Sequence, residues 1–129
     1  MKAILFLLTC IILLSSCNKK TEFDCSPFKT GKFQQNLEEE NAIIYSTRTE
    51  DGFQKDSSKF GVSKYKINWK SDCKCEAKLL ETSNNYSKKY IGRKYYVEIA
   101  EKISDKEYIY NCHVDGIDFI DQDTIIKTN

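Results

Sequence analysis

The sequence predicts an all-β domain: an antiparallel up-and-down meander of eight strands closing into a small barrel. From Gly31 onwards, Tyr, Ile, Val, Phe and Thr alternate with polar residues at period two. Asp51-Gly52 and Asp115-Gly116 punctuate that pattern with the dipeptide that supplies the positive φ of tight turns. A single proline and five glycines leave little low-complexity sequence, so nearly all connections are short. An open, strongly curved half-barrel is the alternative; closure removes the strand edges that invite aggregation.

Taken in order, the chain starts with Lys2 and an apolar run from Ala3 to Leu14, about 12 residues long. That is short of the roughly 20 needed to span a bilayer and matches the apolar core of a signal peptide. Leu14-Ser15-Ser16-Cys17 matches the bacterial lipobox. Residues 1–16 are therefore expected to be a lipoprotein signal peptide, and Cys17 the lipidated N-terminus of the mature protein. Residues 17–24, polar from Asn18 onwards, form a tether, and residues 25–129 form one domain.

Removing residues 1–16 from the 129-residue chain leaves 113, enough for one core and too few for two. Loss of Lys2 leaves 19 basic and 19 acidic side chains, without the positive field of a nucleic-acid binder. Nucleic acid is excluded as a partner on charge and compartment alike. Cys10 leaves with the signal and Cys17 carries lipid, so Cys25, Cys73, Cys75 and Cys112 remain. An even number of cysteines in an oxidising envelope suggests disulfides.

Strands are expected near residues 31–37, 42–49, 53–58, 61–69, 73–82, 91–102, 107–114 and 117–127. The clearest alternation puts Tyr65, Ile67, Trp69, Cys73, Cys75, Ala77 and Leu79 on one face and mostly lysines on the other. Lys70-Ser71-Asp72 makes the turn between its two halves. Leu37-Glu38-Glu39-Glu40 also suits one helical turn, which leaves the end of the first strand open. With Asp115-Gly116 as a two-residue loop, Val114 pairs with Ile117 and Cys112 with Phe119, and Tyr108 and Tyr110 share their inward face.

Cys25, Phe28-Lys29-Thr30-Gly31-Lys32-Phe33, a strand carrying Arg48, and Trp69 with Asp72-Cys73 together resemble a family of small lipoproteins from Bacteroidetes. The resemblance runs from Cys17 to about Val114. Its members, some labelled a DNA topoisomerase IV subunit, have no established activity, and 113 residues cannot house a DNA gate. The resemblance implies a lipocalin-like meander and a disulfide between Cys25 and Cys73. Cys75 and Cys112, both inward-facing, could bridge across the core or remain thiols.

Cys73-Lys74-Cys75 with Cys112-His113 lacks the two close ligand pairs of a structural zinc site. Adjacent residues on a strand also face opposite ways, which separates Cys112 from His113 as a nucleophile pair. Asp115, Asp118, Asp121 and Asp123 miss the spacing of a calcium loop and fit a hairpin followed by a solvated strand. Asp123-Thr124-Ile125 matches the short pattern for O-glycosylation at Thr124 in such envelopes. Tyr65, Trp69, Tyr95 and Tyr110 are the inward aromatics placed to line a cavity. Rings this bulky are expected to fill most of an eight-stranded interior. Tyr86, Lys88, Lys89, Tyr90, Arg93 and Lys94 make a basic, aromatic loop.

No metal, cofactor or enzymatic activity is expected. The sequence points to a non-enzymatic module held by its lipid on the periplasmic face of the outer membrane, because Asn18 is not the aspartate of inner-membrane retention. Its expected partner is a small apolar or amphipathic ligand; the alternative is an envelope protein bound on the outer face of a filled barrel.

Overall fold

The computed structural model describes residues 23–129. The signal peptide, Cys17 and nearly all of the 17–24 tether lie outside the described residues.

Eight strands form one closed barrel: β1 (Gly31–Leu37), β2 (Ala42–Arg48), β3 (Phe53–Ser58), β4 (Gly61–Trp69), β5 (Lys74–Thr82), β6 (Lys94–Lys102), β7 (Glu107–Val114) and β8 (Asp121–Lys127). Each pairs antiparallel with its neighbour in sequence. Pairing of Phe33 with Lys127 joins β1 to β8 and closes the sheet, so the half-barrel alternative does not hold. Two bulges, with Leu80 extra on β5 and Ala100 extra on β6, add the local twist that closure needs.

The turn chemistry holds at Gly52 (φ 82°) and Gly116 (φ 79°), both in the left-handed region. Glu38–Asn41 is a turn closed by Asn41 N–H on the Glu38 carbonyl at 3.1 Å, so β1 ends at Leu37 as expected. Two strand starts differ by more than one residue. β6 begins at Lys94, not at residue 91, because Ile91 caps the 3₁₀ turn Ser87–Tyr90 and Gly92 (φ 86°) turns the chain after it. β8 begins at Asp121, and Cys112 pairs with Asp121, not with Phe119.

That two-residue shift has a physical cause. The expected register would set the Asp123 carboxylate against Tyr108 in the apolar core, whereas the observed one sets Ile125 there. Parity is preserved, so Tyr108, Tyr110 and Cys112 still face inward. Phe119, expected on the buried face, is exposed.

The two ends of the barrel differ. At the end where β1 starts, the 3₁₀ turn Ser26–Phe28 plugs the opening, with Phe28 fully buried. Its ring lies 4.3 Å from that of Tyr108, in a core shared with Phe33, Ile99 and Ile125. A disulfide between Cys25 and Cys73 ties this plug to the β4–β5 turn, and Lys29 pairs with Asp72 across it at 3.0 Å. A 3₁₀ turn this short leaves its last carbonyls without helical partners. Two inward cations fill that gap: Arg48 Nη1 donates to the Phe28 carbonyl at 2.7 Å, and Lys127 Nζ donates to the Pro27 carbonyl. The opposite end, formed by the β1–β2, β3–β4, β5–β6 and β7–β8 connections, carries no such plug among the described residues.

Candidate functional site

Inside the barrel the lining changes character around the circumference. β4, β5 and β6 contribute Ile67, Cys75, Ala77 and Val97, an apolar cluster. β2 and β3 add polar inward positions instead, Ser46 and Arg48 beyond Ala42 and Ile44 on β2, and Gln54 and Asp56 on β3. Register sets Ser46 opposite Asp56 and Arg48 opposite Gln54. A chain of hydrogen bonds results from that pairing. Arg48 Nε donates to Gln54 Oε1 at 2.7 Å, and Gln54 Nε2 donates to Asp56 Oδ1 at 2.8 Å. The Arg48 guanidinium also lies 4.6 Å from the centre of the Phe33 ring, within cation–π range.

Burial pushes the Asp56 carboxyl up, against hydrogen bonds from Ser46 and Gln54 and the charge of Arg48, which pull it down. Burial likewise raises the Tyr65 phenol, with the Asp56 charge adding to the effect. Tyr110 is raised by burial and by Asp123, whose carboxylate accepts from Gln35 Nε2 at 2.7 Å. The Tyr108 hydroxyl is buried without a hydrogen-bond partner of regular geometry.

Two adjoining spaces result. A deep cavity of about 120 Å³ lies beside this network, lined by Asp56, Tyr65, Tyr95, Tyr110 and both free cysteines. Above it, the unplugged mouth opens as a pocket of about 470 Å³ between Leu37, Ile44, Ser58, Phe60, Ser63 and Tyr86. Asp56 and Tyr65 line both spaces, the carboxylate forming the floor of the mouth. A groove of about 700 Å³ on the outer wall runs past Phe53, Val62, Lys55 and Lys64, but it is a furrow on the outside of the sheet.

Three of the four expected lining aromatics are at these spaces. Tyr65, Tyr95 and Tyr110 line the deep cavity, with Tyr65 and Tyr95 edge-to-face at 5.7 Å. Trp69 does not: it ends β4 at the plugged end, packs on both core clusters and lies beneath Lys29 Nζ at 5.3 Å. The interior is filled at the plugged end and open at the other, so the expectation of a filled barrel holds for one half only.

Cys75 and Cys112 are free thiols. Val97 is the register partner of both, which places them two strands apart. At about 4.8 Å per strand their Cα atoms are on the order of 10 Å apart, beyond the roughly 7 Å limit for a disulfide. Burial raises their thiols to about 11 and about 12 respectively.

Thr124 lies on the outer side of β8 opposite Ile109, half-buried, beside the acidic groove of Glu38, Glu39 and Glu107. Of the aspartates expected on a solvated strand, Asp123 instead turns inward onto Gln35. The basic, aromatic loop is at the mouth end, where Lys89 Nζ lies 4.3 Å over Tyr86 and 5.0 Å over Tyr90. Sequence reasoning missed Gln54 and Asp56 altogether and gave Arg48 no interior role. Their signal was parity, since polar residues fall on the inward phase of β2 and β3.

No protein-family model, no curated protein and no solved structure matches the chain.

Proposed function

We propose that this protein is a lipid-anchored envelope module that holds a small amphipathic molecule in the mouth of its barrel. The observation that carries this reading is the mouth pocket of about 470 Å³, within the roughly 300–1,000 Å³ range of small-molecule sites. Its walls are apolar at Leu37, Ile44, Phe60 and Tyr65, with polar Ser58 at the rim, Ser63 below it and Asp56 at the floor. Ser58 accepts from the Phe60 N–H and Ser63 bonds to Thr82, but the Asp56 carboxylate keeps spare acceptor sites that a purely apolar ligand would leave unused, so an amphipathic one fits better. The lipobox at Cys17 and the resemblance to Bacteroidetes lipoproteins support an outer-membrane, periplasmic setting. The described chain enters at the plugged end, and six residues from Cys17 reach at most about 21 Å. That geometry supports a mouth directed away from the anchor.

The test is native mass spectrometry of the full-length chain after gentle purification, followed by titration with the neutral fluorescent dye Nile red. A co-purifying small molecule, or saturable dye binding abolished by Ile44→Trp in a protein that still melts cooperatively, is the expected result. An empty protein that binds no dye, or dye binding indifferent to Ile44→Trp, overturns it.

A second reading rests on the rim. Tyr86, Phe119 and Ile120, at 69%, 68% and 67% exposure, are the most exposed large apolar side chains described, and all three belong to mouth-end loops. A protein partner seated over the mouth would cover them.

A further inference from the structure

The charge of the mouth restricts what its ligand is. Glu40 and Asp56 line the pocket, and among the described residues no lysine or arginine does. Two rim lysines are engaged: Lys59 Nζ donates to the carbonyls of Glu40 at 2.6 Å and Asn41 at 3.0 Å and lies 5.2 Å over the Phe60 ring, and Lys89 Nζ lies 4.3 Å over Tyr86 and 5.0 Å over Tyr90. Below the floor, Arg48 is committed to the Phe28 carbonyl and to Gln54. It reaches Asp56 only through the Gln54 amide. The carboxylate accepts from Gln54 and Ser46, and an ionised carboxylate offers about four lone-pair sites, so acceptor capacity remains. Phe60, Tyr65 and Tyr86 add three aromatic rings to the same walls.

The rim rings Phe60 and Tyr86 already carry Lys59 and Lys89, but at the depth of Asp56 and Tyr65 no lysine or arginine lines the pocket among the described residues, which suits an ammonium group through charge-assisted hydrogen bonds to the carboxylate. An anionic head at the same depth would meet the Asp56 carboxylate and, among the described lining residues, no cation. Resting on the mouth-binding reading above, we infer that the ligand is a primary amine, whose ammonium meets Asp56 while its apolar body lies against Phe60, Tyr65 and Tyr86.

Three probes that share one body and differ in the head group test this: tyramine, its neutral counterpart 4-ethylphenol, and the acid 3-(4-hydroxyphenyl)propionate. They are titrated calorimetrically into the full-length protein, beside the Nile red assay. Tyramine should bind about tenfold or more tightly than 4-ethylphenol, the scale of one charge-assisted hydrogen bond, and the acid should bind most weakly. Asp56→Asn should bring tyramine down to the level of 4-ethylphenol, and Glu40→Gln should weaken it less. Glu39→Gln, outside the pocket, should change nothing. Retained Nile red binding shows that the Asp56→Asn pocket is intact. If Nile red enters the mouth but tyramine holds no advantage, or keeps it in Asp56→Asn, the amine inference is wrong and the mouth reading stands. If neither the dye nor any of the three probes binds, both fail.

Discussion

Replacing Cys25 and Cys73 together by alanine is expected to destabilise the domain by about 4 kcal/mol. The bond spans a sequence separation of 48, and closing a loop of that size removes unfolded-chain entropy worth roughly 4 kcal/mol at 25 °C. For a domain of this size the same loss lowers Tm by roughly 15–20 °C. The loop encloses β1 to β4, so the bond joins the plug to the far end of the strands it precedes. Urea unfolding monitored through Trp69 is the assay, because that ring, like Cys73, packs against the plugged-end core that holds Cys25. The origin of the effect is testable separately from its size. A cross-link acting on the unfolded chain keeps it compact, so its removal should raise the m-value as well as lower the midpoint. A loss under about 1 kcal/mol would show that the plug is held by its packing and by Arg48 and Lys127, and would refute the loop argument. An unchanged m-value beside a large loss would move the effect to the folded state.

Arg48→Met should cost about 3 kcal/mol in the same urea assay, since it removes two hydrogen bonds from a charged donor and leaves the Phe28 carbonyl unpaired; a neutral result would mean that the plug does not depend on Arg48. Asp56→Asn should raise Tm at pH 7. Burial holds the Asp56 pKa above its unfolded value, so its contribution to stability is present below the unfolded pKa and is lost as pH rises through the folded one. The gain should therefore shrink as pH is lowered towards 4, with Arg48, Tyr65 and Tyr108 the titratable groups facing the carboxylate; a lower Tm at pH 7 would show that the Arg48 charge outweighs burial. Cys75 and Cys112, raised to about 11 and about 12, should resist iodoacetamide in the native protein at pH 8 and react in urea. Intact-mass measurement after mild oxidation should show one disulfide, and a Cys75–Cys112 bond would contradict their placement either side of Val97.

Strand order was legible because a half-buried sheet writes its burial into period two, and β4, together with β5 as far as Leu79, carries that pattern. The start of β8 was not, because Asp115-Gly116 does form its turn: the Ile117 N–H reaches the Val114 carbonyl at 3.0 Å. Beyond Ile117 the path of the chain is decided by long-range packing, the choice of Ile125 over Asp123 beside Tyr108. Trp69 shows a related limit. Parity places it inward, but its height along the barrel depends on where the chain turns and on which end Phe28 closes. The pocket was hidden for a different reason. An inward Ser-x-Arg on β2 and Gln-x-Asp on β3 look like solvent-facing residues until closure of the sheet assigns them the inside.

The polar lining of β2 and β3 is expensive as pure architecture. Aliphatic side chains at Ser46, Gln54 and Asp56 would fill the cavity beside Ile67 and Ala77 and remove a buried carboxylate. The plugged half has that composition, with Phe28, Phe33 and Tyr108 packed tightly enough to supply the core. Local costs of this kind concentrate where a site is built, and here the cost coincides with the pocket floor. A structural reason for the polar set would be a role in fixing the register of β2 on β3. The two accounts part at Asp56→Asn, which keeps an acceptor for Gln54 and so keeps the register. A variant more stable at pH 7, with ordinary folding and no preference for the amine, places Asp56 in a binding site that stability alone would not have selected. A variant that loses stability, with its amine binding unchanged, would make the network part of the barrel wall.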